Sequence, residues 1–223
     1  MYIHEFSKRG ARYPAYNPIV AGGENACVLH YVENNQQLNN DDLLLVDAGC
    51  EYEMYAADIT RTFPVSGKFS DEQLAIYKVV LDAMNAAIDM VKPGNHVMQP
   101  QEISEKVITE GLVRLGLLDG DPEELHKSGA YKEFYMHKIG HWLGLDVHDA
   151  GDYVEGEEYM KFKPGMITTI EPGIYISSSM DIDDKWKGIG IRIEDDILVT
   201  KDGNENLTKK VPSDPEEIES LMS

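Results

Sequence analysis

The sequence predicts an α+β domain in which antiparallel strand hairpins pack with amphipathic helices. Apolar runs that end in an acidic residue predict strands, and Leu43–Asp47 is the clearest of them. A segment after Ser70 has apolar residues at alternating steps of three and four, which is typical of a helix. Residues 43–49 and 167–173 share an apolar run, an acid, one further residue and a glycine. This repeat predicts two similar halves related by approximate two-fold symmetry.

The amino-terminal part is predicted to contain little regular structure before a hairpin. Residues 1–25 are rich in Gly, Pro, Arg and Tyr and predict an irregular segment, and a short strand is expected over Ala26–Tyr31. Leu43–Asp47 and Ala57–Phe63 lie on either side of a turn-like stretch. This arrangement predicts that the two runs pair as a hairpin.

Helices are predicted in the middle of the chain. The first begins with the capping-box sequence Ser70–Gln73 and ends before Pro93. Its apolar positions are Leu74, Tyr77, Leu81, Met84, Ile88 and Val91. A second helix is expected over Glu102–Leu115, and a short one near Asp121–Lys127.

The carboxyl-terminal part is predicted to return to strands. Met166–Glu171, Ile174–Ile176 and Gly190–Thr200 are strand-like runs separated by glycine or polar turns, and 212–223 predicts a short surface helix. No low-complexity linker divides the chain. Residues 1–223 are therefore expected to form one domain, which is long enough to fold around a single core.

Charge excludes two classes of partner. Forty acidic residues against twenty basic ones leave a formal charge of −20, which would repel nucleic acid and anionic membranes. No apolar run approaches the length of a membrane span, and the first residues do not resemble a signal peptide. We therefore expect no nucleic-acid or membrane partner and a cytoplasmic location.

Four acids in strand-like segments predict a metal centre. Taken singly, Asp47, Asp58, Glu171 or Glu194 could be a strand-end acid that faces solvent or an arginine. Brought together, the four carboxylates would repel one another and require cations nearby. Two divalent ions would balance the four charges. A ligand set rich in oxygen with one imidazole suits Mn, Fe, Co or Zn. It does not suggest a zinc site made of thiolates.

The imidazole is expected from the segment 137–149, which contains three histidines among glycines. His137 and His141 have the spacing of a zincin helix, but Lys138 stands where that motif requires glutamate. The zincin interpretation therefore fails, and His141 remains the candidate ligand beside the four acids.

Five motifs of the sequence resemble those of a known family. They are the segments 46–49, 58–63, 141–149, 169–173 and 190–196. In order and spacing they closely resemble bacterial aminopeptidase P, or Xaa-Pro aminopeptidase, of the pita-bread metallopeptidases. The resemblance implies a curved, mostly antiparallel sheet flanked by helices. It also implies that 1–223 is the catalytic domain alone, without the amino-terminal domain that family members carry.

The resemblance assigns the metal ligands. It implies that Asp47 binds one ion, that Asp58 and Glu194 bridge two ions, and that His141 and Glu171 bind the other. Manganese(II) is the metal expected at both positions.

The resemblance also assigns catalytic and substrate-binding groups. Glu171 matches the residue proposed as proton shuttle, while His30 and His148 match histidines that stabilise the tetrahedral intermediate. His137 matches a histidine near the proline-side subsite, and Arg192 matches a group that orients the metal-binding carboxylates.

The implied activity is hydrolysis of the bond between an amino-terminal residue and a following proline in peptides. Homo-oligomeric assembly is a further expectation. A prolidase, which cleaves Xaa-Pro dipeptides only, is one alternative; another is a non-catalytic pita-bread module that binds peptides. A methionine aminopeptidase agrees less well with the motifs around His141 and Glu194.

Lys138 and Gly140 depart from the glycine and serine common in the bacterial family.

Overall fold

The computed structural model describes residues 2–223. The elements of the amino-terminal half are α1 (Tyr2–Lys8), β1 (Tyr13–Pro14), β2 (Ile19–Gly22), β3 (Leu43–Asp47), β4 (Cys50–Tyr52), β5 (Tyr55–Ala56) and β6 (Thr60–Pro64). The middle contains the helices α2 (Asp71–Met90), α3 (Gln99–Arg114) and α4 (Pro122–Ser128). The carboxyl-terminal half contains β7 (Val154–Glu155), β8 (Glu158–Tyr159), β9 (Ile167–Ile170), β10 (Gly173–Ile176), β11 (Ile189–Arg192), β12 (Asp195–Val199), β13 (Asn204–Asn206) and α5 (Pro215–Met222).

The two halves share one topology. In the first, β3 pairs antiparallel with β6, and the short pair β4–β5 lies between them in sequence. In the second, β9 pairs antiparallel with β12, and the pair β10–β11 occupies the corresponding place. One more strand completes each outer sheet, giving the orders β2–β3–β6 and β13–β12–β9. The repeat seen in the sequence is therefore a repeat of strand topology.

The halves meet where β6 runs beside the segment from β11 to β12. The Glu194 amide donates to the carbonyl oxygen of Thr60 at 3.0 Å. The hydroxyl of Thr62 donates to the carbonyl oxygen of Arg192 at 3.0 Å and accepts from its amide at 3.3 Å. These hydrogen bonds fix the relative position of the acids contributed by the two halves.

The helices pack against the sheets and share one core with them. Ser70 caps α2 through the predicted capping box: its hydroxyl accepts from the Gln73 amide, and the Gln73 side chain accepts from the Ser70 amide. The buried face of α2 includes Ile76, Val80 and Ala83. None of the helices described between residues 2 and 223 is long and apolar enough to cross a membrane.

Three predictions about local structure are wrong. Residues 1–25 are not irregular, because β2 pairs with β3 and places Ile19 opposite Asp47. Ala26–Tyr31 is not a strand: a 3₁₀ helix covers Gly23–Cys27 and packs closely against Gly190 of β11. The run 190–200 divides into β11 and β12, and Glu194 lies in the break. Each difference arises from contacts with residues distant in sequence.

The remaining elements agree with prediction to within a few residues. β3 has the predicted bounds, and α2 ends before Pro93. The second helix begins at Gln99 rather than Glu102, because Pro100 is accommodated in its first turn. The tail helix is partly buried through Ile218 rather than lying wholly on the surface. The α+β class is confirmed, because helices pack on antiparallel sheets.

Candidate metal centre

The strand ends of both halves deliver carboxylates to one cavity of about 500 Å³. Asp47 is the last residue of β3, and Asp58 lies two residues before β6. Glu171 directly follows β9, and Glu194 directly precedes β12. Because the paired strands are antiparallel, the end of one and the start of its partner lie at the same edge of the sheet. The backbone topology itself therefore gathers four acids.

One group of ligand atoms is already close enough to hold an ion. Asp58, His141 and Glu194 each offer a ligand atom, and these atoms lie within 4.8 Å of one another. His141 Nε2 is 3.4 Å from Asp58 Oδ2 and 3.7 Å from Glu171 Oε1. Its Nδ1 lies 3.0 Å from the Trp142 carbonyl oxygen, which favours a proton on Nδ1 and leaves Nε2 free to bind a metal.

The Asp47 side of the cluster is held by hydrogen bonds. The Tyr16 hydroxyl lies 2.5 Å from Asp47 Oδ1 and 2.5 Å from Asp58 Oδ1. Arg192 Nη2 donates to Asp47 Oδ2 at 2.7 Å. Both oxygens of Asp47 thus have a neighbouring donor within the protein.

The electrostatics of the cluster require cations. The pKa of Glu171 is raised to about 7, chiefly by burial; Arg192 and His141 oppose the rise, and the negative charges of Asp58 and Asp47 add to it. Burial, followed by Asp58 and Glu171, raises the pKa of Glu194 well above its usual range. Divalent ions would offset these costs and keep the carboxylates ionised. The residues present therefore fit a site for divalent metal.

A buried network supports the ligands from behind. Thr60 Oγ1 donates to Glu194 Oε2 at 2.7 Å. The Asp58 amide donates to Asp196 Oδ2 at 3.2 Å. Arg61 of β6 bonds Asp195 Oδ1 of β12 at 2.7 Å, with both side chains 2% exposed. These contacts join the two halves directly behind the candidate ligands.

A second polar group occupies another wall of the cavity. His137 Nε2 lies 2.8 Å from the Tyr175 hydroxyl, which accepts from Arg192 Nη1 at 3.0 Å. His137 Nδ1 lies 2.8 Å from the Lys138 carbonyl oxygen. Burial lowers the pKa of His137 to about 4, so the ring is neutral at pH 7. A neutral ring that donates from Nδ1 accepts the Tyr175 proton at Nε2.

Two further histidines stand at the open side of the cavity. His30 and His148 both line it and are exposed. The ring of His148 is 4.3 Å from that of His141, centroid to centroid. Burial, and then the neighbouring His141, lowers the pKa of His148. Ring nitrogens at this position could donate to a ligand that enters from solvent.

The structure brings every predicted site residue to this cavity. Its lining includes Asp47, Asp58, His141, Glu171, Glu194, His30, His148, His137 and Arg192. Three further residues of the site were not predicted from the sequence: Tyr16, Thr60 and Tyr175. Tyr16 lies in the segment predicted to be irregular, and no spacing in the sequence points to it. Tyr175 lies between two isoleucines of β10, which is a weak signal because such positions are usually structural. Thr60 begins β6 beside Arg61 and Thr62, and nothing in that polar run distinguishes it.

Comparisons with known proteins agree with this geometry and confirm the pita-bread fold. The chain is 53% identical to the Xaa-Pro aminopeptidase of Haemophilus influenzae over 221 residues, covering 99% of this chain and 51% of the relative. It is 50% identical to the Xaa-Pro aminopeptidase of Escherichia coli, covering 98% of this chain and 49% of the relative. The structure of Pseudomonas aeruginosa aminopeptidase PepP superimposes with a TM-score of 0.97 at 56% identity, covering 98% of this chain and 50% of that one.

The chain spans about half the length of the curated relatives it matches. Residues 1–201 match the family described as metallopeptidase family M24, a match that includes all the candidate ligands. A metallopeptidase family implies divalent metal ions, which agrees with the group formed by Asp58, His141 and Glu194. The chain belongs to metallopeptidase family M24.

Proposed function

We propose that this chain is the catalytic domain of an Xaa-Pro aminopeptidase, which hydrolyses the bond between an amino-terminal residue and a following proline. One observation carries the proposal: four carboxylates and His141 converge on a single cavity with nothing missing from the expected ligand set. Two relatives whose sequences are 53% and 50% identical to nearly the whole chain are named Xaa-Pro aminopeptidases, which supports the same activity.

The proposed cofactors are two Mn(II) ions. Asp47 would bind one, His141 and Glu171 the other, and Asp58 and Glu194 would bridge them. When bound, such ions lower the pKa of water and polarise the carbonyl group of the scissile bond. The contact of Asp58 with both sides of the cluster, through Tyr16 and through His141, supports its bridging role.

The chain's own residues would perform the remaining steps. His30 and His148 are proposed to donate hydrogen bonds to the carbonyl oxygen as negative charge develops on it. Glu171 is proposed to hold the proton that passes to the leaving nitrogen. Its position at the end of β9, 3.7 Å from His141 Nε2, places the carboxylate at the edge of the cluster and toward the cavity.

Proline specificity is proposed to reside in the group formed by His137, Tyr175 and Arg192. The nitrogen of a proline residue within a peptide carries no N–H. The subsite on the leaving side therefore needs no acceptor for an amide proton and can recognise the proline ring by its shape. The hydrogen bonds from Tyr175 to His137 and from Arg192 to Tyr175 fix the three side chains as one wall. Such a wall suits a rigid ring.

A substrate panel tests the activity. Protein stripped of metal and then supplied with Mn(II) should release arginine from Arg-Pro-Pro, act weakly on Xaa-Pro dipeptides and leave Met-Ala peptides intact. Hydrolysis of dipeptides but not tripeptides would instead indicate a prolidase. Failure to bind Mn(II) by calorimetry would indicate a non-catalytic peptide-binding module. The cytoplasmic location and homo-oligomeric assembly stay predictions.

A further inference from the structure

Tyr16 lies between two of the candidate metal ligands. Its hydroxyl is 2.5 Å from Asp47 Oδ1 and 2.5 Å from Asp58 Oδ1. Asp58 lies 42 residues away in sequence and Asp47 lies 31 residues away. One phenol group therefore fixes the separation of two carboxylates that come from opposite strands of the β3–β6 pair.

The backbone on both sides of Tyr16 is attached to the strands that flank Asp47. On one side, Pro14 of β1 pairs with Cys50 of β4, and the Ala15 amide donates to the Gly49 carbonyl oxygen at 2.9 Å. On the other side, Ile19 of β2 pairs with Asp47 itself. The segment that carries the phenol is thus held beside the cluster by strand pairings on both sides.

The hydrogen bond from Tyr16 has no substitute at Asp58. Throughout residues 2–223, no other hydroxyl or N–H donor lies within hydrogen-bond distance of Asp58 Oδ1. Asp47 retains a second donor in Arg192. A phenol has one proton to donate, and a carboxylate oxygen has two acceptor positions. The proton is donated to one aspartate at a time, so both carboxylates keep acceptor positions for a metal while the hydroxyl stays in contact with each of them.

The geometry points to Tyr16 as a positioning residue that orients Asp47 and Asp58 for metal binding. The inference rests on the metal centre proposed above. Outer partners that orient ligand side chains typically contribute a 10- to 100-fold increase in metal affinity, about the range expected here. The hydroxyl group, rather than the aromatic ring, carries this effect.

The test is Mn(II) binding to Tyr16→Phe, measured by titration calorimetry and by electron paramagnetic resonance. We expect Mn(II) to bind about 10- to 100-fold more weakly. The Mn(II) concentration for half-maximal activity should rise in parallel, while kcat at saturating Mn(II) changes much less. Tyr31→Phe is the matched control, since it removes a hydroxyl that donates to Asn35 at 3.2 Å, outside the cluster; its Mn(II) affinity should equal that of the wild type.

Other outcomes separate this inference from the proposed function. Wild-type protein that binds no Mn(II) would overturn the metal centre itself. Wild-type binding with equal or tighter binding by Tyr16→Phe would overturn only the role of Tyr16, because the phenol would then be a bystander or a competitor. Circular dichroism of the metal-free variant checks the fold. If Tyr16→Phe is unfolded, the hydroxyl supports the fold rather than the metal, which also overturns the inference.

A different observation carries a second inference, on Lys138. Apart from histidines, Lys138 and Arg192 are the two basic side chains in the cavity lining described between residues 2 and 223. Arg192 is paired with Asp47. Lys138 has no carboxylate within 4.0 Å among the described residues, and its Nζ lies 5.5 Å from the centre of the Tyr153 ring. The ring is itself stacked on Trp142, with centroids 5.4 Å apart.

We infer that Lys138 attracts a carboxylate on the leaving side of the peptide, either a free carboxyl terminus or an acidic side chain. The inference rests on the proposed function. The amino terminus of a substrate is a cation, which the four acids attract and Lys138 repels. Lys138 adjoins His137, the residue proposed for the proline subsite. A negative charge placed after the proline would therefore complement the ammonium group of Lys138.

A double comparison tests this inference without turnover. Mn(II)-loaded wild type should bind Pro-Leu more tightly than Pro-Leu amide, by about two- to fivefold for an exposed ion pair. Lys138→Met should abolish the difference, Lys138→Arg should retain it, and Lys201→Met, at an exposed site, should not alter it. Equal binding of both peptides by the wild type would overturn the inference. Binding of neither peptide would instead count against the proposed peptidase function.

Discussion

The two halves of the molecule use the same strand topology but hold their acids differently. In the first half, Asp47 and Asp58 are short side chains positioned by Tyr16 and Arg192. In the second half, Glu194 accepts from Thr60, whereas the Glu171 carboxylate accepts no hydrogen bond among residues 2–223 and lies 3.7 Å from His141 Nε2. The first half is thus organised by hydrogen bonds, whereas the second depends more on cations to offset buried charge.

The largest effect is expected at Asp58, the acid that contacts both sides of the cluster. Asp58→Ala should lower Mn(II) affinity and kcat/KM by more than about 100-fold, because loss of an outer partner alone costs up to that much. Calorimetry and the tripeptide assay measure the two effects. Asp202→Ala, at an exposed site, is the control. Retained metal binding and activity in Asp58→Ala would contradict a shared ligand.

The connection between the halves predicts the next largest effect. Arg61→Met would leave Asp195 buried without its partner, which typically costs about 3–5 kcal/mol of unfolding free energy. Urea denaturation of the metal-free protein measures it. Lys127→Met, which breaks an exposed pair with Glu123, should cost less than about 1 kcal/mol. Equal effects of the two substitutions would show that the buried pair does not join the halves.

The dependence of the second half on cations predicts a pH effect. Because burial raises the pKa of Glu171 from 4.5 to about 7, the folded metal-free protein binds a proton more tightly there than the unfolded chain does. Its contribution to stability is complete below pH 4.5 and is lost as pH rises through 7. Melting temperatures measured with chelator should therefore fall across this interval, and Mn(II) should oppose the fall at the upper end.

Glu171→Gln provides the control for this pH effect. The fall should become smaller in this variant, although part should remain because burial also raises the pKa of Asp196 to about 7. A pH profile that is identical in Glu171→Gln and wild type would assign the effect to other groups.

The smallest effects are expected at the equivalent glycines of the repeat, Gly49 and Gly173. A methyl group at Gly49 would overlap the backbone carbonyl of Ala57, whereas one at Gly173 would meet the Tyr175 hydroxyl and the Ile191 carbonyl. Overpacking costs about 1–3 kcal/mol, and Gly49→Ala should lie at the upper end because backbone cannot rotate away. Thermal unfolding measures both, with Gly203→Ala in open space as control. A larger loss at Gly173 would reverse the comparison.

The sequence by itself predicted the features that depend on local pattern. The apolar run of β3, the capping box of α2 and the repeated acid-and-glycine spacing were all visible without coordinates. The motif resemblance then named nine residues that the structure brings to one cavity. An acid at the end of an apolar run is visible in the local sequence. Antiparallel pairing then places such acids at the same edge of the sheet.

Features that depend on contacts between distant residues could not be predicted from local pattern. The strand β2 exists because Ile19 pairs with Asp47, and the segment 26–31 is not a strand because it packs against Gly190. Tyr16 is identified by contacts of its hydroxyl with two carboxylates that lie 31 and 42 residues away. No local composition encodes such contacts, because the hydroxyl and the carboxylates meet only after both sheets of the first half have formed.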